Sequence, residues 1–132
     1  MPYLLLNNPV IQSPHGEIHK LWSETEGGLG EAYISRVSHK AVSAWKRHVK
    51  MVSRIKIVRG RVLFVFPSVG GETFSLVLDD SSSELIEISP NQWFGFQGLE
   101  RNNSILNLAS IEHDPNEVER LPIGAFMYDW RS

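Results

Sequence analysis

The chain has 132 residues, 42% of them hydrophobic and 21% charged, with a net charge of -2. That length suits one domain, residues 1–132, able to bury its own core without cross-links. There is no cysteine, which excludes a disulfide scaffold, a thiolate zinc site and a cysteine nucleophile together.

The apolar cluster from Tyr3 to Leu6 lacks the basic flank and long apolar region of a signal peptide. No run approaches the roughly 18 to 20 apolar residues that span a bilayer, so the expectation is a cytoplasmic protein with no membrane partner. Strand-like segments then alternate with turn signals. Ile18 to Ser23 precedes Glu26-Gly27-Gly28, and Gly30 to Val37 precedes Ser38 to Lys40. Val52 to Val58 ends at Gly60, Arg61 to Phe66 at Pro67 and Gly70-Gly71, and Thr73 to Leu78 at the polar run from Asp79 to Ser83. Leu85 to Ile88, Trp93 to Gly98 and Ile105 to Ile111 complete the set before Asp114-Pro115. Short strands punctuated by Gly, Pro, Asn, Asp and Ser, with helix limited to one turn near Pro115 to Glu119, predict an all-β sandwich or barrel.

The charge is unevenly distributed. No Asp or Glu occurs between Ala32 and Gly71, yet the interval holds nine of the thirteen Lys and Arg residues, from Arg36 to Arg61. All the acids lie outside it, so folding brings acidic segments beside it or leaves a basic concavity for an anion. Its centre, Ala44 to Lys50, runs on through Met51 to Arg59 into Gly60 and the apolar Val62 to Phe66, which reads as two antiparallel strands meeting at a glycine turn. If the first part is extended, Lys46, His48 and Lys50 share one face, with Trp45, Arg47 and Val49 on the other. Similarly, Ile55 and Ile57 oppose Arg54 and Lys56, and Phe74, Leu76 and Leu78 oppose Thr73, Ser75 and Val77.

Several motifs occur in one order: Gly30-Glu31-Ala32-Tyr33, Ala44-Trp45-Lys46-Arg47-His48, Val58-Arg59-Gly60-Arg61-Val62, the run from Ile88 to Phe96, His113-Asp114-Pro115 and Tyr128-Asp129-Trp130. Together, from about Gly16 to Trp130, they resemble the cupin-fold dTDP-4-dehydrorhamnose 3,5-epimerase group and the related nucleotide-sugar 3,4-ketoisomerases. The resemblance implies a cupin-type jelly-roll β-barrel, a homodimer, and a nucleotide-linked 4-keto-6-deoxyhexose as substrate in polysaccharide precursor synthesis. It also implies no metal and no other cofactor. Such chemistry removes a proton next to a ketone and returns it elsewhere, which needs a base, an acid or oxyanion partner, and cations for the diphosphate.

On this reading His48 is the base, since an imidazole titrates near neutrality and its lysine neighbours favour the neutral form, or else a histidine that only hydrogen-bonds inside the barrel. Tyr33 is the candidate acid, or a buried Tyr with a satisfied hydroxyl. Lys46 stabilises charge. Arg36, Arg47, Lys50 and Arg54 supply cations to the substrate, and Trp93 and His113 supply further contacts. The pattern departs from its relatives at three places. Lys46 stands where relatives often have the first of two histidines, Phe94 where many have His, and His113 where an aromatic hydroxyl is common. With Lys46, His48, Ser53 and Phe94 at the metal-cupin positions, no metal site is expected. His15 and His19, four apart, read as loop histidines.

Other motifs carry less. Gly27-Gly28-Leu29-Gly30 has no helix after it, Gly70-Gly71 reads as a hairpin turn, and no Gly-x-Ser-x-Gly elbow occurs. Trp22, Trp45, Trp93 and Trp130 are platform or packing residues, and the alternating Phe126, Tyr128 and Trp130 suit a tail packed on the barrel or on a partner. The alternative function is a non-catalytic cupin that binds a sugar nucleotide or another small anion. Nucleic-acid binding by the basic strands is disfavoured, because they lack aromatic interleaving.

Overall fold

A computed structural model describes residues 2–132. Its strands are β1 (Leu4–Asn7), β2 (Val10–Ser13), β3 (Gly16–His19), β4 (Glu31–Ser38), β5 (Val42–His48), β6 (Ser53–Arg59), β7 (Arg61–Phe66), β8 (Phe74–Asp79), β9 (Glu84–Ile88), β10 (Phe94–Gly98), β11 (Asn102–Ala109) and β12 (Val118–Arg120). They form two five-stranded sheets, ordered β1-β9-β6-β11-β4 and β12-β5-β10-β7-β8, plus the hairpin β2-β3. The sheets face each other without closing into a continuous cylinder, and every pairing is antiparallel. This is the all-β class read from the turn spacing, in the jelly-roll form that the resemblance implied.

Period-two alternation builds the interior. Ile55 and Ile57 of β6, Phe64 and Phe66 of β7, Ile86 and Ile88 of β9 and Ile105 of β11 fill the space between the sheets. Burying each such side chain contributes about 1.5–3 kcal/mol. Strand β7 is apolar at every position after Arg61 because both its faces are covered. Val62, Phe64 and Phe66 point into the core, while Leu63 and Val65 join Trp45 in a second cluster on the outer side. The alternating tail residues Phe126, Tyr128 and Trp130 cover that cluster, and the Trp45 indole donates to the Ile123 carbonyl at 2.9 Å. The tail therefore packs on the sheet of its own chain.

The expected hairpin at Gly60 requires correction. β6 and β7 are consecutive but do not pair with each other, since β6 lies between β9 and β11 while β7 lies between β10 and β8. Gly60 is the corner at which the chain leaves one sheet for the other. Its φ of +81° is open to glycine, and a Cβ there would stand 2.3 Å from the Asn102 carbonyl oxygen. Alternation alone shows that two strands are extended, not which neighbours they choose.

Smaller differences follow from short, weakly patterned segments. β1 and the β2-β3 hairpin were not expected, and the strand placed over Ile18 to Ser23 ends at His19. The turn near Pro115 is a 3-10 turn over Pro115–Glu117, after which the chain becomes β12. β5 ends at His48, so Lys50 sits exposed in the following turn and does not continue the face of Lys46 and His48.

The acid-free interval is neutralised piecemeal. Arg54 pairs with Glu87 at 3.0 Å and with Glu26 while lying over the Trp22 ring, and Arg61 approaches Glu100 at 3.4 Å. Lys56 is 6% exposed, and its ammonium donates to Asn8 Oδ1 and to the Ser82 and Glu84 carbonyls at 2.7, 2.7 and 3.3 Å. Two of the remaining cations, Lys46 and Arg36, lead to the cavities described below.

Candidate active site

A cavity of about 340 Å³ opens at one end of the molecule, between the edge strand β4 of one sheet and β5 and β12 of the other. Its lining is Glu31, Tyr33, Lys46, His48, His113, Val118 and Arg120. Alternation places Glu31 and Tyr33 on one face of β4, and Lys46 and His48 on one face of β5. Across the β5-β12 ladder Val118 is opposite His48 and Arg120 opposite Lys46. Phe94 links the cavity to the core. It is the cross-strand partner of Lys46, lies under the Lys46 ammonium at 5.5 Å, and stands 6.4 Å from both the His48 and Phe66 rings.

His48 is 6% exposed, and its Nδ1 is hydrogen-bonded to Glu117 Oε1. The other carboxylate oxygen of Glu117 accepts from the backbone N–H groups of Lys50 and Met51, both at 3.1 Å. The 3-10 turn Pro115–Glu117 aims this carboxylate. Asp114 caps it by accepting from the Asn116 N–H at 2.9 Å, and the Glu117 carbonyl accepts from the Val49 N–H at 2.7 Å. Burial by itself would push the Glu117 carboxyl up, but the Lys50 N–H, His48 and the Met51 N–H together hold it below its ordinary value. An ionised carboxylate only accepts, so His48 carries its proton on Nδ1 and keeps a lone pair on Nε2.

Burial is the main force holding the His48 imidazole below its ordinary pKa. Glu117 opposes it, and Lys46 and Arg120 reinforce it. Burial, and then Arg120, also lowers the pKa of Lys46. The Tyr33 hydroxyl is pushed the other way, by burial and then by Glu31 and Glu117, so it remains protonated at neutral pH. The site thus combines a neutral imidazole, a protonated phenol and two adjacent cations around one space. That combination can accept a proton, donate one and stabilise a developing oxyanion. Among the described residues no three His, Asp or Glu side chains stand close enough to hold a metal ion.

Of the residues singled out from the sequence, Tyr33, Lys46, His48 and His113 come together here. His113 is anchored through its backbone N–H, which donates to Glu31 Oε2 at 2.7 Å. The others do not line this cavity. Arg47 points to the outer side of β5, pairing with Glu119 at 2.9 Å and stacking over Trp93 at 4.9 Å. Arg54 is held by its two acids, Lys50 is in the turn, and Arg36 is on the opposite face of β4 from Tyr33. Glu117, Arg120 and Glu31 were missed. A signal for the first two existed, because Glu117 and Glu119 alternate with Val118 and Arg120 directly after the Asp-Pro cap. That spacing fits an acidic strand laid against the basic β5.

No protein-family model matches the sequence, and no curated protein matches it. Solved structures do. A dTDP sugar isomerase from Desulfovibrio desulfuricans G20 superposes with a TM-score of 0.84 at 25% identity, covering 97% of this chain and 90% of that one. A histidine-to-asparagine variant of a 3,4-ketoisomerase from Thermoanaerobacterium thermosaccharolyticum, in complex with TDP-4-keto-6-deoxyglucose, gives 0.77 at 18% identity over 91% and 88% of the two chains. A dTDP-4-dehydrorhamnose 3,5-epimerase from Elizabethkingia anophelis gives 0.80 at 12% identity over 98% and 81%. By its fold, this chain stands among the cupin-type jelly rolls shared by dTDP-sugar isomerases, 3,4-ketoisomerases and dTDP-4-dehydrorhamnose 3,5-epimerases.

Proposed function

We propose that the protein is a nucleotide-sugar epimerase or ketoisomerase acting on a 4-keto-6-deoxyhexose carried by a nucleoside diphosphate, in polysaccharide precursor synthesis. The observation that carries this reading is the buried His48–Glu117 pair opening onto the same cavity as Lys46, Arg120 and Tyr33. His48 Nε2 takes the proton from the carbon beside the ketone, and the C–H electrons form the enolate double bond as the carbonyl π pair moves onto oxygen. The Lys46 and Arg120 cations, opposite each other on β5 and β12, stabilise that oxyanion. Return of a proton from His48 or Tyr33, to the same or to the neighbouring carbon, sets the product. The similar solved structures include enzymes of both kinds, which supports the substrate class.

The test is proton NMR of dTDP- and GDP-linked 4-keto-6-deoxyhexoses in deuterated water with the purified protein. The expected result is loss of a ring-proton signal beside the ketone, and its position distinguishes epimerase from ketoisomerase chemistry. Saturable binding with no exchange would leave the non-catalytic cupin in its place. Lys46→Met is expected to slow exchange by about 100-fold, the usual cost of removing one oxyanion donor. An unchanged rate would remove Lys46 from that role.

Because the folded imidazole titrates below the ordinary His value of about 6.5, exchange is expected to persist as pH falls through 6.5 and to fail only at lower pH. The linkage sign agrees. Between the folded and unfolded pKa values the unfolded chain binds the extra proton, so the stability tied to His48 is complete above about pH 6.5 and declines as pH falls toward the folded value. A rate profile whose acid limb lay above 6.5 would contradict this assignment.

The same reading takes the protein as a cytoplasmic homodimer, for which the exposed apolar side chains of Leu4, Leu5 and Ile34 offer contact surface. Sedimentation equilibrium checks the dimer. No helix among the described residues is long and apolar enough to cross a membrane.

A further inference from the structure

A second cavity, of about 330 Å³, lies where the ends of β4 and β6 meet the start of β11, and it shares no lining residue with the first. Three arginines, Arg36, Arg59 and Arg101, line it together with the polar stretch Asn102 to Ser104. The sheet register places two of them. Ser104 is opposite Arg36 on one side and Arg59 on the other, so these three side chains project from the same face of the sheet. Arg101 approaches from the turn that precedes β11.

That turn is held rigidly. Asn103 is 2% exposed, and its side chain is fully occupied with backbone. Its oxygen accepts from the Arg61 and Glu100 N–H groups at 3.0 and 3.2 Å, and its amide donates to the Val37 and Glu100 carbonyls at 3.0 and 2.8 Å. One buried amide thus ties the turn carrying Arg101 to the strand carrying Arg36.

The charge of this cavity is unbalanced. No carboxylate lines it, and among the described residues none of its three arginines forms an ion pair, whereas Arg47, Arg54 and Arg61 each do. Glu100, next to Arg101 in sequence, is engaged with Arg61, and Asp80, which lies beside the residue after Arg59, accepts from the Gly60 N–H. Three guanidinium groups lining one cavity without a counter-charge repel one another. The arrangement gains from an anion able to take several N–H forks at once, and a tetrahedral phosphoryl group does so.

We infer that this cavity is a second ligand site, taking a compact phosphoryl anion such as inorganic phosphate, diphosphate or the terminal phosphate of a phosphorylated metabolite. It does not depend on the function assigned to the first cavity. The three arginines are the ligands, and Asn103 positions two of the segments that present them.

The experiment is a titration of the full-length 15N-labelled protein with inorganic phosphate and, separately, with diphosphate, following the arginine Nε–H signals, with sodium chloride at matched ionic strength as control. Saturable shifts at Arg36, Arg59 and Arg101 are expected. The midpoint should rise at least tenfold in the Arg59→Gln/Arg101→Gln variant, whose two altered side chains are exposed and outside the core. Tighter binding of diphosphate than of phosphate would identify a two-phosphoryl ligand, and equal binding a single phosphoryl group. Shifts confined to Arg120 and the His48 ring, or a linear response matched by sodium chloride, would overturn the site.

Discussion

His48→Asn should lower solvent exchange of the proton beside the substrate ketone by about 100- to 10,000-fold, the range that a positioned general base contributes. Nucleotide-sugar binding should change little. Asparagine is close in size and can keep a hydrogen bond toward Glu117 through its amide, but it has no lone pair that accepts a proton near neutral pH. The cations Lys46 and Arg120 and the phenol of Tyr33 remain in place. Exchange followed by NMR, with binding followed by calorimetry, separates the two effects. Full exchange in this variant would move the base to another residue of the cavity, with Tyr33 and Lys46 the next to test. Loss of binding together with exchange would instead give the imidazole a binding role.

Glu117 carries the second large expectation, and it acts through His48. Glu117→Gln should reduce exchange by at least ~100-fold, because a neutral amide no longer fixes the proton on Nδ1 or stabilises the imidazolium formed in the reaction. The pH profile distinguishes this positioning role from simple loss of structure. Glu117 raises the His48 pKa against burial, Lys46 and Arg120, so its neutralisation should move the acid limb to still lower pH. Glu117→Ala should also cost stability, about 1–3 kcal/mol for each buried donor left without its acceptor, the His48 Nδ1–H among them. The cost includes the Lys50 and Met51 N–H groups, which lose their acceptor. Chemical denaturation measures it. A variant as stable as the parent would mean that water replaces the carboxylate.

The contrast between His48 and Glu117 shows what was legible. His48 stood out because it lies in an alternating basic segment with Lys46 two residues before it, and period two puts both on one face wherever the strand pairs. Glu117 lies 69 residues away, in a turn that reads as helix-like polar loop. Its role exists only because the three-residue β12 pairs with β5. So short a strand shows only the brief alternation from Glu117 to Arg120, which does not name the strand it pairs with. The place of Arg120 beside Lys46 depends on the same pairing.

Arg36 and Arg47 show the reverse case. Counting charge correctly announced a basic interval without acids, but it could not say which cations converge. Arg47 met Glu119 on the outer side of its strand, while Arg36 and Arg59 share a register with Ser104 and line one cavity with Arg101 from the preceding turn. Gly60 belongs with them. The glycine marked a change of direction, but the partners of β6 and β7 were decided by burial of both faces of β7 between the core and the C-terminal tail.

By itself the sequence determined the all-β class, the strand alternation, most strand positions, and the set from Tyr33 to His48 that lines one side of the cavity. These are local properties, written in turn residues and in a period of two. The tertiary structure alone decided the pairing of β5 with β12, the carboxylate behind His48, the cation beside Lys46 and the separation of the basic interval into two cavities. Those depend on contacts between residues far apart in the chain, where the hydrogen-bond needs of the backbone and the burial of apolar faces choose among many locally equivalent partners.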